Sequence, residues 1–122
     1  MKKRSPSTWR NYLDKLFSEA VRSRGKCERC GKTSTLQTSH IYSRSNKEVR
    51  WNLKNAFCFC AACHFYWHQH PLEAAEFTKK KLGKEYEKLR VAARKTRQWF
   101  EDYYVEVELT LLDEIKRLQN GN

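Results

Sequence analysis

Four of the five cysteines in this 122-residue chain fall into two matched pairs, Cys27-x-x-Cys30 and Cys60-x-x-Cys63, separated by 29 residues. A tight turn with thiols at such spacing presents both sulfurs to one side. Two such turns supply the four corners of a tetrahedron, which zinc occupies without geometric penalty. A closed set of four thiolates leaves no position for water, so the zinc it implies is structural. Binding worth on the order of 10 kcal/mol at such a site would offset a small core. The ordinary alternative, small buried cysteines, does not account for two matched pairs in so short a chain. Cys58 is the fifth. It could replace Cys60 as a ligand, but Cys60 has the better spacing to Cys63, and Cys58 reads as a small packed hydrophobe.

All four histidines, His40, His64, His68 and His70, fall around the second cysteine pair. His64 and His68 are four residues apart on a segment that reads as helix. They project from one face and could share a metal. A surface pair of histidines is the common alternative. Here the helix starts at a cysteine pair that would fix its direction, and His40 lies upstream on a strand-like segment. His70 precedes Pro71 and reads as solvated.

The elements that must carry these groups are legible in outline. In the N-terminal segment, 5–25, Trp9, Tyr12, Leu13, Leu16, Phe17, Ala20 and Val21 recur with helical period. Ser5-Pro6 fits its start and Gly25 its stop, while Lys15, Arg22 and Arg24 decorate the polar side. Such a stripe is more often a packing face than a DNA-reading one. Residues 26–34 form a turn around the first cysteine pair. Residues 35–41 alternate as a short strand, 42–54 are polar loop, 56–59 return as a second strand, and 61–70 are helical up to Pro71. Beyond that the chain is mostly helix: 72–82 ending at Gly83, a helix striped by Tyr86, Leu89 and Ala93, and one from about 99 to 119. The last has Leu111, Leu112, Ile115 and Leu118 as its expected inner face. Val105, Val107 and Leu109 also alternate as a strand would, but the helical period continues to Ile115. The expected class is α+β.

Length argues for a single domain over 1–122. Within it, a helix (5–25) and a helical region (72–119) flank a central unit (26–71). Only 39% of residues are hydrophobic, so a metal staple is in keeping with the size. The longest apolar run covers 56–63, too short to cross a membrane. The basic start, Met1-Lys2-Lys3-Arg4-Ser5-Pro6, has no apolar segment behind it and does not read as a secretory signal. An odd cysteine count without such a signal points to a reducing cytoplasm, not to disulfides. The net charge of +11 favours a polyanionic partner. It is uneven: residues 1–97 are basic, whereas 98–122 carry two basic and six acidic side chains. A polyanion would touch the first part and avoid the second.

The ordered set Cys27-x-x-Cys30, Ser39-His40-Ile41, Asn55, Cys60-x-x-Cys63-His64 and His68 resembles the HNH nucleases of the ββα-metal fold. The resemblance covers about residues 27–70. Ser43-Arg44, Arg50-Trp51, Asn55 and His70-Pro71 look like small HNH proteins of tailed phages and prophages. It implies a ββα-metal core stapled by the four-cysteine zinc site. His40 would be the general base that takes a proton from the attacking water, a role suited to a group titrating near neutrality. Asn55 would orient His40 by hydrogen bonding across the hairpin. His64 and His68 would hold a divalent cation that stabilises the leaving 3′-oxygen, and cleavage would leave 5′-phosphate ends. Ser39 departs from the pattern, since family members place an acid or a histidine there as a further metal ligand. A hydroxyl is a poor ligand, and two imidazoles favour Mn²⁺, Ni²⁺ or Zn²⁺ over Mg²⁺ at equal concentration, while cellular abundance favours Mg²⁺.

Arg44, Lys47, Arg50 and Lys54 lie between His40 and Asn55, where two of them could clamp phosphates of DNA. Lys79, Lys80 and Lys81, with Lys84, Lys88, Arg90, Arg94, Lys95 and Arg97, read as general phosphate attraction. Trp51, Phe65 and Trp67 could stack on bases, but core packing is the better account of them. The leading expectation is therefore a metal-dependent DNA endonuclease. The alternative is a zinc-stapled DNA-binding module whose nuclease site is vestigial. A third reading is an accessory protein of phage packaging or recombination with its acidic C-terminal segment as interface.

Overall fold

The computed structural model describes residues 4–95 and 101–121. The basic residues 2 and 3, Arg97 and the expected helix start near Trp99 lie outside them. The chain is mixed α+β: α1 (Pro6–Arg22), β1 (Leu36–His40), a short 3-10 turn (Leu53–Asn55), β2 (Ala56–Cys60), α2 (Ala61–Gln69), α3 (Pro71–Leu82), α4 (Lys84–Ala93) and α5 (Glu101–Asn120). No described helix is long and apolar enough to cross a membrane.

β1 and β2 pair antiparallel, with Leu36 opposite Cys60, Ser39 opposite Phe57 and His40 opposite Ala56. Every residue of β2 is buried, because helices cover both faces of this two-stranded sheet. Strand alternation then sorts the side chains. Ala56 and Cys58 join a core with α1 and α5, and Phe57 and Phe59 join a second core with Cys27, Cys60, Cys63, Trp67 and Phe77. The tight ring cluster of Phe57, Phe59, Trp67 and Phe77, with centroids 5.2–6.5 Å apart, makes up the second core.

α1 starts as its sequence dictates. The Ser5 hydroxyl accepts from the Thr8 amide at 3.2 Å, and Pro6 fills the first turn, where a missing N–H costs nothing. Its expected stop at Gly25 is displaced: the helix ends at Arg22, and Gly25, at φ +87°, carries the turn that follows. The reason is Arg24. Its guanidinium is drawn inward to donate to the carbonyls of Leu53 and Ala56 and to the Glu28 carboxylate, each at 2.8 Å. Glu28 in turn accepts from the Cys58 amide at 2.7 Å. Arg24 is thus a connector between α1 and β2, not a surface decoration.

α5 is helical where alternation also suited a strand. Tyr104, Val107, Leu111 and Ile115 are its buried stripe, against α1. Leu112, expected on the inner face, is 43% exposed, and Leu118 is half-buried. α1 offers one narrow apolar stripe, and Leu112 stands about 100° around the helix from Leu111, beyond its reach.

The polar segment 42–54 is not a free loop. Asp14 of α1 accepts from Arg50 Nη2 at 2.7 Å, Arg50 Nε at 3.1 Å and Trp51 Nε1 at 2.9 Å. Burial alone would raise the Asp14 carboxyl, but these donors outweigh it and hold it below the usual aspartate value. A carboxyl depressed in the folded state stabilises above its unfolded pKa, and that contribution disappears as pH falls through the folded value. Urea unfolding of wild type against Asp14→Asn should show a deficit of about 1–2 kcal/mol in the variant at neutral pH. The deficit should shrink towards zero as pH drops below about 3.9; a pH-independent gap would mean the carboxylate charge is not what pins the segment.

Candidate functional site

The four paired cysteines come together. The sulfurs of Cys27, Cys30, Cys60 and Cys63 all lie within 4.8 Å of one another, and those of Cys30 and Cys60 are 3.7 Å apart. Zinc–sulfur bonds of about 2.3 Å at tetrahedral angles place sulfurs about 3.8 Å apart, so the four thiols could hold one such ion. Local structure makes the arrangement. Cys27 N–H donates to the Lys32 carbonyl at 2.7 Å and Gly31 N–H to the Cys27 carbonyl at 2.9 Å. Gly31 closes this turn at φ +83°, which a side chain would strain. Cys60 is the N-cap of α2 and Cys63 lies in its first turn, where the positive end of the helix favours anionic sulfur. Thr35 Oγ1 accepts from the Ala61 amide at that helix start, at 3.3 Å.

The thiols differ in their ease of ionisation. Burial opposes ionisation of Cys27, yet backbone donors from Cys60, Cys30 and Arg29 pull its thiol down to about 6. Hydrogen bonding to the Cys63 backbone lowers Cys60. Burial pushes Cys63 up to about 12, although Arg29 Nη1 donates to its sulfur at 3.4 Å. A cation at the centre would supply the charge that burial denies Cys63. Arg29 also lies 4.1 Å over the Tyr66 ring, which fixes it beside the cluster. Cys58 stays apart: it is fully buried in the other core, and burial pushes its thiol up to about 11.

The helix that starts at this cluster carries the histidine pair. The Nε2 atoms of His64 and His68 stand 3.2 Å apart. Two nitrogens bound to one ion at about 2.0–2.1 Å are separated by about 2.9–3.4 Å for angles of 90–110°, so both rings face a common point. The same distance also lets one ring donate to the other. Burial, and then the neighbouring His68, lower the His64 pKa, which keeps its lone pair available near neutrality. Among the described residues, the thiol cluster is the one group of three or more histidines, cysteines or carboxylates placed to share a metal. The pair therefore has two protein nitrogens and no third ligand of those kinds.

His40 closes β1 with its ring stacked on Phe17, centroids 5.4 Å apart. Burial lowers its pKa first, and Arg44, Arg50 and His64 add to the shift against Asp14. Ser39 points to the opposite face of the strand, beside Phe57 and towards α2, where its hydroxyl is fully buried without a hydrogen-bond partner.

Asn55 does not do what was expected of it. Its side chain accepts from Tyr42 N–H at 2.8 Å and donates to the carbonyls of Tyr42 at 3.0 Å and Val49 at 3.1 Å. None of these bonds reaches His40. Fully buried, Asn55 instead spends all three on the segment that follows His40, and its own carbonyl accepts from Ile41 N–H at 2.9 Å. Its influence on His40 passes through the backbone.

The basic residues divide. Arg44 is 62% exposed with one 3.4 Å contact to Asp14, and Lys47 is exposed in the same segment. Arg50 is committed to Asp14 and half-buried, so its expected phosphate-clamping role gives way to a structural one. Lys54 lines a cleft of about 510 Å³ with Arg24, Lys81, Glu114 and Arg117, a lining that includes none of His40, His64 and His68. Trp51 and Trp67 pack as expected, but Phe65 is 67% exposed on α2. Asp14, Arg24 and Arg29 were not singled out as partners in the sequence. Their contacts span 4 to 37 residues, and no local pattern marks them.

No family model, curated protein or solved structure matches the chain. Three substitutions test the roles assigned above. Cys27→Ser should release the bound metal and unfold the chain, read by metal content and far-ultraviolet circular dichroism. Cys58→Ala should keep both, since that thiol lies outside the cluster. Asn55→Ala removes a fully buried hub and should cost about 2–4 kcal/mol in urea unfolding; a loss under half a kcal/mol would show the segment is held by Asp14 alone.

Proposed function

We propose that the chain is a metal-dependent DNA endonuclease of the HNH type, its ββα-metal core formed by β1, β2 and α2 and stapled by zinc at the four cysteines. The observation that carries this reading is the convergence of the His64 and His68 nitrogens on a helix that starts at the thiol cluster. A cation at His64 and His68, whether Mg²⁺, Mn²⁺, Ni²⁺ or Zn²⁺, would supply positive charge for a phosphate oxygen and the departing 3′-oxygen.

The side chains do the rest. Burial and the nearby cations keep His40 neutral at physiological pH, so its ring is ready to accept the proton of the attacking water. Phe17 holds the ring from one side. Arg44 has the exposure to meet a phosphate, and Lys79, Lys80 and Lys81 add positive charge in the last turn of α3.

One observation favours the competing reading of a binding module without cleavage: among the described residues no further histidine, cysteine or carboxylate joins the histidine pair, and Ser39 offers only a buried hydroxyl. Plasmid nicking separates the two. The nuclease produces relaxed circles with added divalent metal. His40→Ala should lower that rate roughly 100-fold or more while DNA binding persists. Because the His40 pKa is lowered, activity should persist as pH falls to the ordinary histidine value near about 6.5 and decline only below it. Ser39→Asp should tighten the metal dependence. Wild-type protein that retards DNA yet cuts with none of the four metals would establish the binding module instead.

A further inference from the structure

A second concavity opens beside the histidine pair, and its chemistry differs from that of the cationic surface. It has a volume of about 330 Å³, close to the smallest ligand sites, and is bounded by the segment after β1, the end of α2, α3 and α4. Tyr42, Trp67 and Tyr86 supply aromatic walls, Ala74 and Ala75 a shallow floor, and His68 stands at its edge. The walls are held in place. Asn55 grips the Tyr42 backbone on both sides, Trp67 is wedged against Phe57, Phe59 and Phe77, and Asn46 Nδ2 donates to the Ala93 carbonyl of α4 at 3.2 Å. Lys79 lies 5.8 Å from the centre of the Tyr86 ring, whereas Arg90 on the same helix as Tyr86 is held by Glu87 at 2.6 and 3.0 Å.

Aromatic walls, a floor of small side chains and a cation near the rim suit a flat heterocycle joined to phosphate. Base–aromatic stacking tolerates any of the four bases, because each has a π-face. A base inside a duplex cannot enter, since its faces are covered by its neighbours. We propose that this cleft receives an unpaired nucleobase next to the phosphate held at His64 and His68. The chain therefore engages DNA at bulges, frayed junctions or single-stranded segments in preference to continuous duplex. This rests on the proposed nuclease reading for the identity of the polyanion, and it adds the structural class of the substrate.

The test uses the full chain with its zinc and no added divalent metal, so that binding is read apart from cleavage. The probes are a duplex with a single bulged 2-aminopurine, the same duplex fully paired, and 2-aminopurine riboside monophosphate. The bulged duplex should bind about tenfold tighter than the paired one, with its fluorescence quenched by stacking. Tyr86→Ala and Ala75→Trp, the latter filling the floor from an exposed position, should each abolish that preference. Affinity for the paired duplex and zinc content should be unchanged in both. Equal affinity for bulged and paired duplex, a preference that survives both variants, or binding of the free monophosphate without a bulge preference would each overturn the proposal. The two readings fail separately. Cleavage with divalent metal that ignores the bulge removes this inference and leaves the nuclease; a bulge preference abolished by both variants, without cleavage in any metal, does the reverse.

Discussion

Four sulfur atoms within 4.8 Å of one another are a demanding arrangement. As thiols they give up almost nothing by being there, but as thiolates they repel, and burial multiplies that repulsion. A single cation would convert the conflict into a link. That link would have direction as well as strength. It would join the turn at Cys27 and Cys30 to the first residues of α2, so that the helix leaves the end of β2 at a fixed angle. The position of His64 and His68 relative to β1 follows from that angle, as does the wedge of Trp67 against Phe57 and Phe59.

The remainder of the scaffold is organised around buried polar connectors more than around bulk apolar volume. Asp14 ties α1 to Arg50 and Trp51. Arg24 and Glu28 tie the end of α1 to β2. Asn55 ties the strand ends to the segment between them. Each connector is satisfied on several sides, which is the condition under which a buried polar group specifies structure without a net penalty. Together they tie down the 42–54 segment that follows His40. A two-stranded sheet is otherwise too small to position anything.

What the sequence disclosed followed local rules. Paired cysteines at fixed spacing, the Ser5-Pro6 start, the Gly83 break and the histidines four residues apart all report on one turn or one helix face, and each was found where expected. Interactions between distant segments were not legible. Arg50 is equally basic whether it meets a phosphate or Asp14, 36 residues away. Asn55 presents the same amide whether it bonds His40 or the carbonyls of Tyr42 and Val49. Leu112 belongs to the same periodic pattern as Leu111, and only the width of the α1 stripe decides which is covered. The aromatic cleft likewise draws Tyr42, Trp67 and Tyr86 from three segments, none with a recognisable pattern of its own.

The clasp between α1 and α5 has a consequence for how the chain is made. Tyr12 donates to Glu108 at 2.6 Å across 96 residues, and Trp9 stacks on Tyr104 at 5.6 Å. On a translating ribosome α1 emerges long before α5, and α2 and its cysteines appear in between. The thiol half can therefore assemble while the Trp9 end of α1 still lacks its cover. Until α5 arrives, the nascent chain displays a sticky tryptophan-bearing ridge, the kind of surface that holding chaperones recognise.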